Sequence, residues 1–405
     1  MAVCRPLPIV LNLTLAVLAM TSIRIECICD AEKLKSLKCD FDRLSNGAVM
    51  QRLCWLLPWW DAYQTSHKLH VLVAYRGGEV CGILPLAETS LVVTGRTLVF
   101  MGSGKVCSDN QGILVEDSDS QEVAEAFATW LVESPDCCRW DHLDLDGVRE
   151  SNRAMKLFGQ HLEALTGSSI ERKGSPNCWS ASLEGGLDAY RSRLSSRARK
   201  IFREAESAIG TGAGVFEIAQ TLEQALDFTD EIEQMHQARW REQGIEGCFT
   251  SSAFRTFLKS AICHMWDDRW YSVQDKISVD ATGEQRVQVG LLRVNGVPAA
   301  GCICYRDRDS LAMYLTGMNP EFSEIRPGWM LNKCFLKRAI ALGCTQFDFL
   351  RGDEEHKKRL GGEPAVQQRW VVPANRITSQ VRNVAYRTAV GVKRWWTGLE
   401  NVSQH

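Results

Sequence analysis

Apolar and polar positions divide the chain into two stretches of similar plan. Residues 21–29 alternate, which predicts a strand, and Leu34, Leu37, Phe41 and Leu44 fall at helical spacing over Ala31–Leu44. Trp55, Trp59, Trp60 and Tyr63 stripe a second helix with an aromatic face suited to a core. The runs His70–Tyr75 and Val80–Leu86 flank Arg76-Gly77-Gly78-Glu79, whose glycine pair predicts a tight hairpin. Leu91–Val93, Thr97–Met101 and Gly112–Val115 read as further strands. Helix Ser120–Glu133, strand Trp140–Leu145 and helix Ser151–Leu165 complete the first half.

Gly167–Asn177 is rich in Gly, Ser and Pro and reads as a linker. The plan then repeats with strand Cys178–Leu183, helix Leu187–Ala208, strand Val215–Ala219, and helices Leu222–Gln243 and Ser251–Trp266. A strand Trp270–Val273 and a polar stretch Asp275–Glu284 are expected next. Gln288–Val294 and Pro298–Tyr305 turn at Asn295-Gly296, the strongest hairpin signal in the chain. Strand Leu311–Gly317, helix Gly328–Leu342 and strand Thr345–Leu350 follow. The fold class is α+β, each half a mixed, mostly antiparallel sheet covered by helices. Residues 20–170 and 171–375 are expected as the two domains, flanked by an extension (1–19) and a C-terminal basic helix (376–405).

The 405 residues suffice for two domains with their own cores, and a net charge of −2 offers no global reason for a DNA partner. Sixteen Cys are spread without any C-x-x-C pair, and the close pairs Cys27/Cys29, Cys137/Cys138 and Cys302/Cys304 do not match zinc spacings. They are expected as reduced, mostly buried side chains in the cytoplasm, with no metal. Leu7–Met20, after Arg5, is an apolar run shorter than the roughly 20 residues that span a bilayer. No small-residue cleavage site follows, so Met20 is expected as the true start. Near the C-terminus Ile377, Val381, Val384, Val392 and Trp395 have helical spacing among Arg382, Arg387, Lys393 and Arg394. Packing of that helix against the domain is expected in preference to a membrane surface, and no stable membrane insertion is expected.

The chemistry concentrates after strand Ala312–Gly317, where a loop delivers Arg326-Pro327-Gly328 to a helix start. The first turn of a helix carries unpaired N–H groups and partial positive charge, a ready anion site. Pro327 suits the first turn, Gly328 permits close approach of a diphosphate, and Arg326 adds a cation. The tripeptide alone also reads as a plain turn. Asp348 inside an apolar strand is either a structural partner of an arginine or a perturbed base. Asp353 and Glu354, just beyond that strand, are general-base candidates, and Arg351 suits a phosphate, an acceptor anion or a salt bridge. His236 and Trp240 share a helix face, as core or as acceptor-site lining, and Tyr314 faces either a cleft or packing. Gly102-Ser103-Gly104-Lys105 is not a P-loop, because Val106 stands where the magnesium-binding hydroxyl belongs. Arg191, Arg193, Arg197, Arg199, Lys200 and Arg203 form a basic helix that is a solvated face, a site for an anionic acceptor, or a contact for tRNA.

Four stretches carry a resemblance: Phe347-Asp348-Phe349-Leu350-Arg351-Gly352-Asp353-Glu354 continuing through Lys357 to Arg359-Leu360-Gly361; His236-x-x-Arg239-Trp240-x-x-x-Gly244; the basic helix Tyr190–Ala205; and Leu98–Gly104 with Ser108-Asp109. Together they resemble the two-domain branch of the GNAT acyltransferase superfamily that contains CelD-like acetyltransferases and Fem-type peptidyltransferases, over residues 22 to about 372. The resemblance implies tandem GNAT-like domains. It also implies acetyl-CoA or another acyl-CoA lying between splayed strands Ala312–Gly317 and Thr345–Leu350, its thioester on the N–H groups near Leu315, Thr316 and Gly317. Arg326, Pro327, Gly328, Trp329 and Met330 would hold the diphosphate, and His236, Arg239, Trp240, Tyr314 and Arg351 the acceptor. Asp353, Glu354 or Asp348 would take the proton; the Tyr acid common in the superfamily has no close counterpart here. One donor site is expected, in the second half, because the first lacks an Arg-Pro-Gly turn. The expected function is N- or O-acyl transfer to a small molecule or an envelope, saccharide or peptide precursor. The alternatives are an aminoacyl-tRNA-dependent Fem-type enzyme, the one reading with tRNA as partner, and a non-catalytic binding protein.

Overall fold

The computed structural model describes residues 22–134, 140–210, 214–266, 286–307 and 309–385. The expected extension 1–19, strand Trp270–Val273, the polar stretch Asp275–Glu284 and the chain from 386 onward lie outside the described residues.

The strands are β1 (Arg24–Ile28), β2 (His67–Arg76), β3 (Glu79–Leu91), β4 (Gly95–Phe100), β5 (Leu114–Val115), β6 (His142–Arg149), β7 (Glu171–Ser182), β8 (Val215–Ile218), β9 (Val287–Val294), β10 (Val297–Arg306), β11 (Ser310–Met318), β12 (Gln346–Arg351) and β13 (Glu363–Pro373). They form one mixed sheet in the order β1-β2-β3-β4-β6-β13-β7-β12-β11-β10-β9-β8, with β5 beside β3. The pairs β4/β6 and β11/β12 are parallel and the other strand pairs antiparallel. The α+β class with GNAT-like halves is therefore realised as one continuous sheet.

The middle of that sheet departs from the sequence reading. The Gly/Ser/Pro stretch 167–177 is not a linker for most of its length, because from Glu171 it is β7, paired with β13 on one side and β12 on the other. Strand β13 has no clear apolar alternation in Glu363–Gln368 and was not expected; it pairs with β6 of the first half. The halves thus meet at β13, which pairs with β6 of the first half on one side and, through β7, leads to β12 on the other. Leu91–Val93 also differs. It ends β3 and continues into an exposed turn, not a separate strand. The helix expected over Ala31–Leu44 breaks at Leu37, and the one over Leu187–Ala208 breaks at Leu194–Ser195.

Three apolar cores hold the layers. One core covers the first half of the sheet, built on Phe127, Phe158 and Trp370, and another covers the second, built on Phe202, Phe335 and Phe347. The third is shared by both halves. There the helices Leu53–Tyr63 and Ser252–Trp266 meet, with Trp55 edge-on to Phe257, Tyr305 and Tyr314 at ring separations of 4.9, 5.1 and 5.0 Å. Such aromatic edges add directional packing to a large burial of apolar area. The Trp stripe is core, as its spacing predicts.

At the C-terminal end residues 377–385 are helical, but Ile377, Val381 and Val384 point to solvent while Ser379 and Asn383 face the protein. The expectation that the apolar stripe packs on the domain is reversed here. The polar side docks because Asp141 accepts the Ser379 hydroxyl at 2.8 Å.

Candidate functional site

Strands β11 and β12 pair only through Ser310–Ala312 and Gln346–Asp348, then separate. Two irregularities accompany the divergence. The β10/β11 register slips between Ile303 and Cys304, leaving Tyr314 as an extra residue. The β12/β7 register slips between Asp348 and Leu350. Leu350 sits there in a left-handed conformation, φ 55°, with its N–H donated to the Asp348 carboxylate at 2.7 Å. Non-glycine residues held this way are strained by about 1–3 kcal/mol and concentrate at functional sites.

The gap opens into a cavity of about 1210 Å³. One wall is Met313–Thr316 of β11, the other Phe349–Arg351 of β12; His236, Arg239 and Trp240 of helix Leu222–Glu242 close a side. Gly317 lets that helix lie directly on β11, since a Cβ there would be 2.5 Å from the Ile232 carbonyl oxygen.

The head of helix Pro327–Ala341 forms the end of the cavity. Arg326 precedes it in a left-handed conformation, φ 56°; no side chain caps the helix and its first turn has no acid. Such a head retains donors and partial positive charge for an anion. Behind it, Asn332 donates to the Gly328 carbonyl at 2.7 Å, and buried Lys333 pairs with Glu206 at 2.8 Å. Gly328 is close-fitted: a Cβ would lie 3.0 Å from the Met318 sulfur.

Of the residues singled out from sequence, Leu315, Thr316, Arg326, Pro327, Gly328, Trp329, His236, Arg239, Trp240, Tyr314, Arg351 and Glu354 line this cavity. Four do not. Met330 turns into the core, and Gly317 packs under the helix. Asp348 holds the Leu350 N–H; burial raises its pKa to about 6, with that hydrogen bond opposing. Asp353 accepts from Asn177 Nδ2 at 2.9 Å and Trp179 Nε1 at 3.1 Å. Burial pushes its pKa up, but those bonds prevail and hold it below the usual range.

Tyr314 donates its hydroxyl to the Val106 carbonyl at 2.8 Å, a contact between halves. His236 accepts the Trp240 indole N–H at Nε2, 2.8 Å. An indole only donates, so that nitrogen carries no proton and the ring is neutral; burial lowers its pKa in the same direction. Arg351 is committed to the first half: it meets Asp109 at 2.7 Å and Asp146 at 2.6 Å. Burial raises the Asp109 pKa, with Arg351 opposing.

Sequence reasoning did not place Cys107, Asp109, His356 and Lys357 on this cavity. The first two arrive from the other half; Asp109 stands in the Ser108-Asp109 stretch of the resemblance without an assigned role, and no local signal marks Cys107. Lys357 stands in the Phe347–Gly361 stretch of the resemblance, which gives it no role of its own. It donates to the Arg351 carbonyl at 2.7 Å and meets Glu354 at 3.0 Å. Glu354's pKa is raised by burial but more strongly lowered by Lys357 and its other partners. His356 opens on the cleft, and crowding lowers its pKa despite the opposing charge of Glu354.

A family profile described as an acetyltransferase (GNAT) domain matches residues 195–358, the segment that builds this cavity. Among solved structures, that of FemX aligns at TM-score 0.59 and 12% identity, covering 85% of this chain and 98% of its own. The C-terminal domain of a putative lysylphosphatidylglycerol synthetase from Agrobacterium fabrum aligns at 0.49 and 10% identity, covering 86% and 96%. A tandem GNAT protein from the clavulanic acid biosynthesis pathway aligns at 0.40 and 12%, covering 87% and 98%. No curated protein sequence matches the chain significantly.

Proposed function

We propose, from the GNAT-domain match over residues 195–358 and the likeness in fold to FemX, that this chain is a two-domain acyltransferase of the GNAT superfamily that takes the acyl group from acetyl-CoA or another acyl-CoA. The acceptor would be an amine or hydroxyl of a small molecule or an envelope, saccharide or peptide precursor. One observation carries this reading: the β11/β12 gap meets an acid-free, uncapped helix head. A diphosphate on Gly328 and Arg326 would lay its pantetheine arm along β11. N–H groups of Leu315 and Thr316 would then stabilise the oxyanion as the acceptor attacks the thioester carbon and thiolate leaves. The cavity exceeds the roughly 300–1,000 Å³ typical of small-ligand sites, leaving space for donor arm and acceptor together.

Of the titratable groups on the wall, Glu354 and His356 directly follow β12 and are the candidates for the acceptor's proton. We favour His356. Its lowered pKa leaves it neutral near pH 7 and able to take a proton, whereas the Glu354 carboxylate is already paired with Lys357. Asp353 and Asp348 are weaker candidates, being outside the wall and bonded to backbone or side-chain donors.

The test is titration calorimetry with acetyl-CoA. Saturable binding that falls about tenfold in Arg326→Ala is expected from the loss of one charge-assisted phosphate contact. No binding, or binding indifferent to that change, would refute the donor site. The aminoacyl-tRNA reading rests on the likeness to FemX. Against it, the basic helix is largely committed: Arg191 pairs with Glu206, Lys200 with Glu204, and Arg193 and Arg199 donate to backbone carbonyls. Steep salt-dependent binding of charged tRNA, without acetyl-CoA binding, would instead establish it.

A further inference from the structure

Two thiols and an imidazole meet on one face of the first half, outside the cavity. Cys27 stands on β1 and Cys29 just past its end, so the two project from the same side of the chain. Their sulfurs are 3.7 Å apart, and Cys27 Sγ lies 3.6 Å from His70 Nδ1. The register Cys27↔Leu72 and Ile28↔Val71 accounts for the third member, because its next step outward brings His70 of β2 opposite Cys29. Neither thiol is in a disulfide, Cys29 is exposed, and His70 is buried against Trp130 with ring centroids 5.9 Å apart.

The second half supplies the contrast. Cys302 and Cys304 have the same spacing on β10, with sulfurs 3.5 Å apart, yet both are fully buried among apolar side chains. Burial pushes the Cys304 thiol well up, which suppresses the thiolate that reacts. Cys39 and Cys107 are exposed, but neither has a second sulfur beside it among the described residues. Only the pair Cys27 and Cys29 combines exposure, a neighbouring sulfur and a base among those residues.

That combination fits thiol–disulfide exchange. The Cys29 thiolate attacks one sulfur of a small disulfide R–S–S–R. The bond between the two sulfurs breaks, one R–S⁻ leaves with the proton that Cys29 gave up, and Cys29 is left bonded to S–R. Cys27 then gives its proton to His70 Nδ1 and attacks the Cys29 sulfur; the second R–S⁻ leaves and takes that proton back from the imidazole. Two protein thiols are oxidised, and one small disulfide is reduced to two thiols. Alternate strand positions are roughly 6.6 Å apart at Cα, at the wide end of the disulfide range of about 4.4–6.8 Å. The closed bond is therefore strained and readily reduced again.

We propose that Cys27 and Cys29 form a reversible modification site for low-molecular-weight disulfides, with His70 as the base of the closing step. The site is separate from the cavity and does not depend on the acyl-transfer reading. The test incubates the reduced full-length protein with oxidised glutathione, then quenches with N-ethylmaleimide for peptide mass mapping. Expected is a Cys27–Cys29 bond, two hydrogens lighter than the reduced peptide, that dithiothreitol opens. Cys39, without a neighbouring thiol, should stop at a glutathione adduct, and Cys302 and Cys304 should stay reduced. Cys27→Ser should halt the reaction at a glutathione adduct on Cys29. His70→Gln should slow closure at least about tenfold, so that the same adduct accumulates with both thiols present. Cys27→Ser changes one atom of a half-buried side chain and carries the test if the His70 variant does not fold. A lasting adduct on Cys29 in the wild type, no reaction at either thiol, or closure undiminished in folded His70→Gln overturns the proposal.

Discussion

The two halves open their sheets at corresponding places and use the openings differently. In the first, β4 and β6 pair through Thr97–Val99 and His142–Asp144 before parting; in the second, β11 and β12 do so through Ser310–Ala312 and Gln346–Asp348. The first opening is filled. Gln111 bridges to Val148, and Arg351 enters from the other half onto Asp109 and Asp146. The second remains a cavity. The helices that follow differ in sign as well. Ser120–Glu133 starts beside Asp119 and Glu122, both held at 2.6 Å by Arg76, whereas Pro327–Ala341 starts with no acid behind Arg326. A phosphate would be repelled by the acids at the first head, whereas no acid in the first turn opposes one at the second. A shared scaffold does not confer a shared ligand; the filling of the gap and the charge at the helix head select it.

Removing the plug has the largest expected effect. Asp109→Ala leaves the buried Arg351 guanidinium without its buried carboxylate partner and should cost about 3–5 kcal/mol of stability, read by urea unfolding. A loss under about 1 kcal/mol would mean that the first opening does not need its plug.

Blocking the second opening comes next. Gly328→Trp should lower acetyl-CoA affinity at least about 100-fold by filling the helix head, and wild-type protein should bind one acetyl-CoA per chain. A stoichiometry of two would erase the contrast between the halves.

A subtler test uses the residue at which each opening begins. Asp144 is paired with Arg369, whereas Asp348 accepts the Leu350 N–H. The Asp348 pKa is raised from 3.8 to about 6, so the folded state holds that proton more tightly than the unfolded chain. Its stability contribution is full below about pH 4 and is lost as pH rises through about 6. Asp348→Asn keeps the acceptor oxygen. It should flatten the stability profile across that window and be the more stable protein at pH 8, by about 1–3 kcal/mol. An unchanged slope would assign the pH dependence elsewhere.

The smallest effect is expected at the first helix head. Glu122→Gln removes one exposed anion and should cost less than about 1 kcal/mol, with no second acetyl-CoA bound. Gain of a second site would show that charge alone, without the plug, keeps the first half empty.

Much of the second half was legible because its signals are local. Asn295-Gly296 adopts positive φ at both residues, 51° and 80°, the turn its dipeptide predicts, and the helix starts at Pro327. Twelve of the sixteen residues singled out lie on the cavity wall. The exceptions have structural reasons: the orientation of a helix set Met330 inward, and donors two residues away or across the sheet took Asp348 and Asp353.

The sequence by itself determined the element order, the hairpins, the aromatic core helix and the helix head, since hydrophobic period, turn chemistry and capping act over a few residues. Only the tertiary structure decided that Glu171–Ser182 and Glu363–Pro373 are central strands, that Arg351 reaches Asp109 from 242 positions away, and that the apolar side of residues 377–385 faces outward. Those outcomes depend on pairings and burials between distant segments, whose free energy leaves no periodic trace in either segment alone.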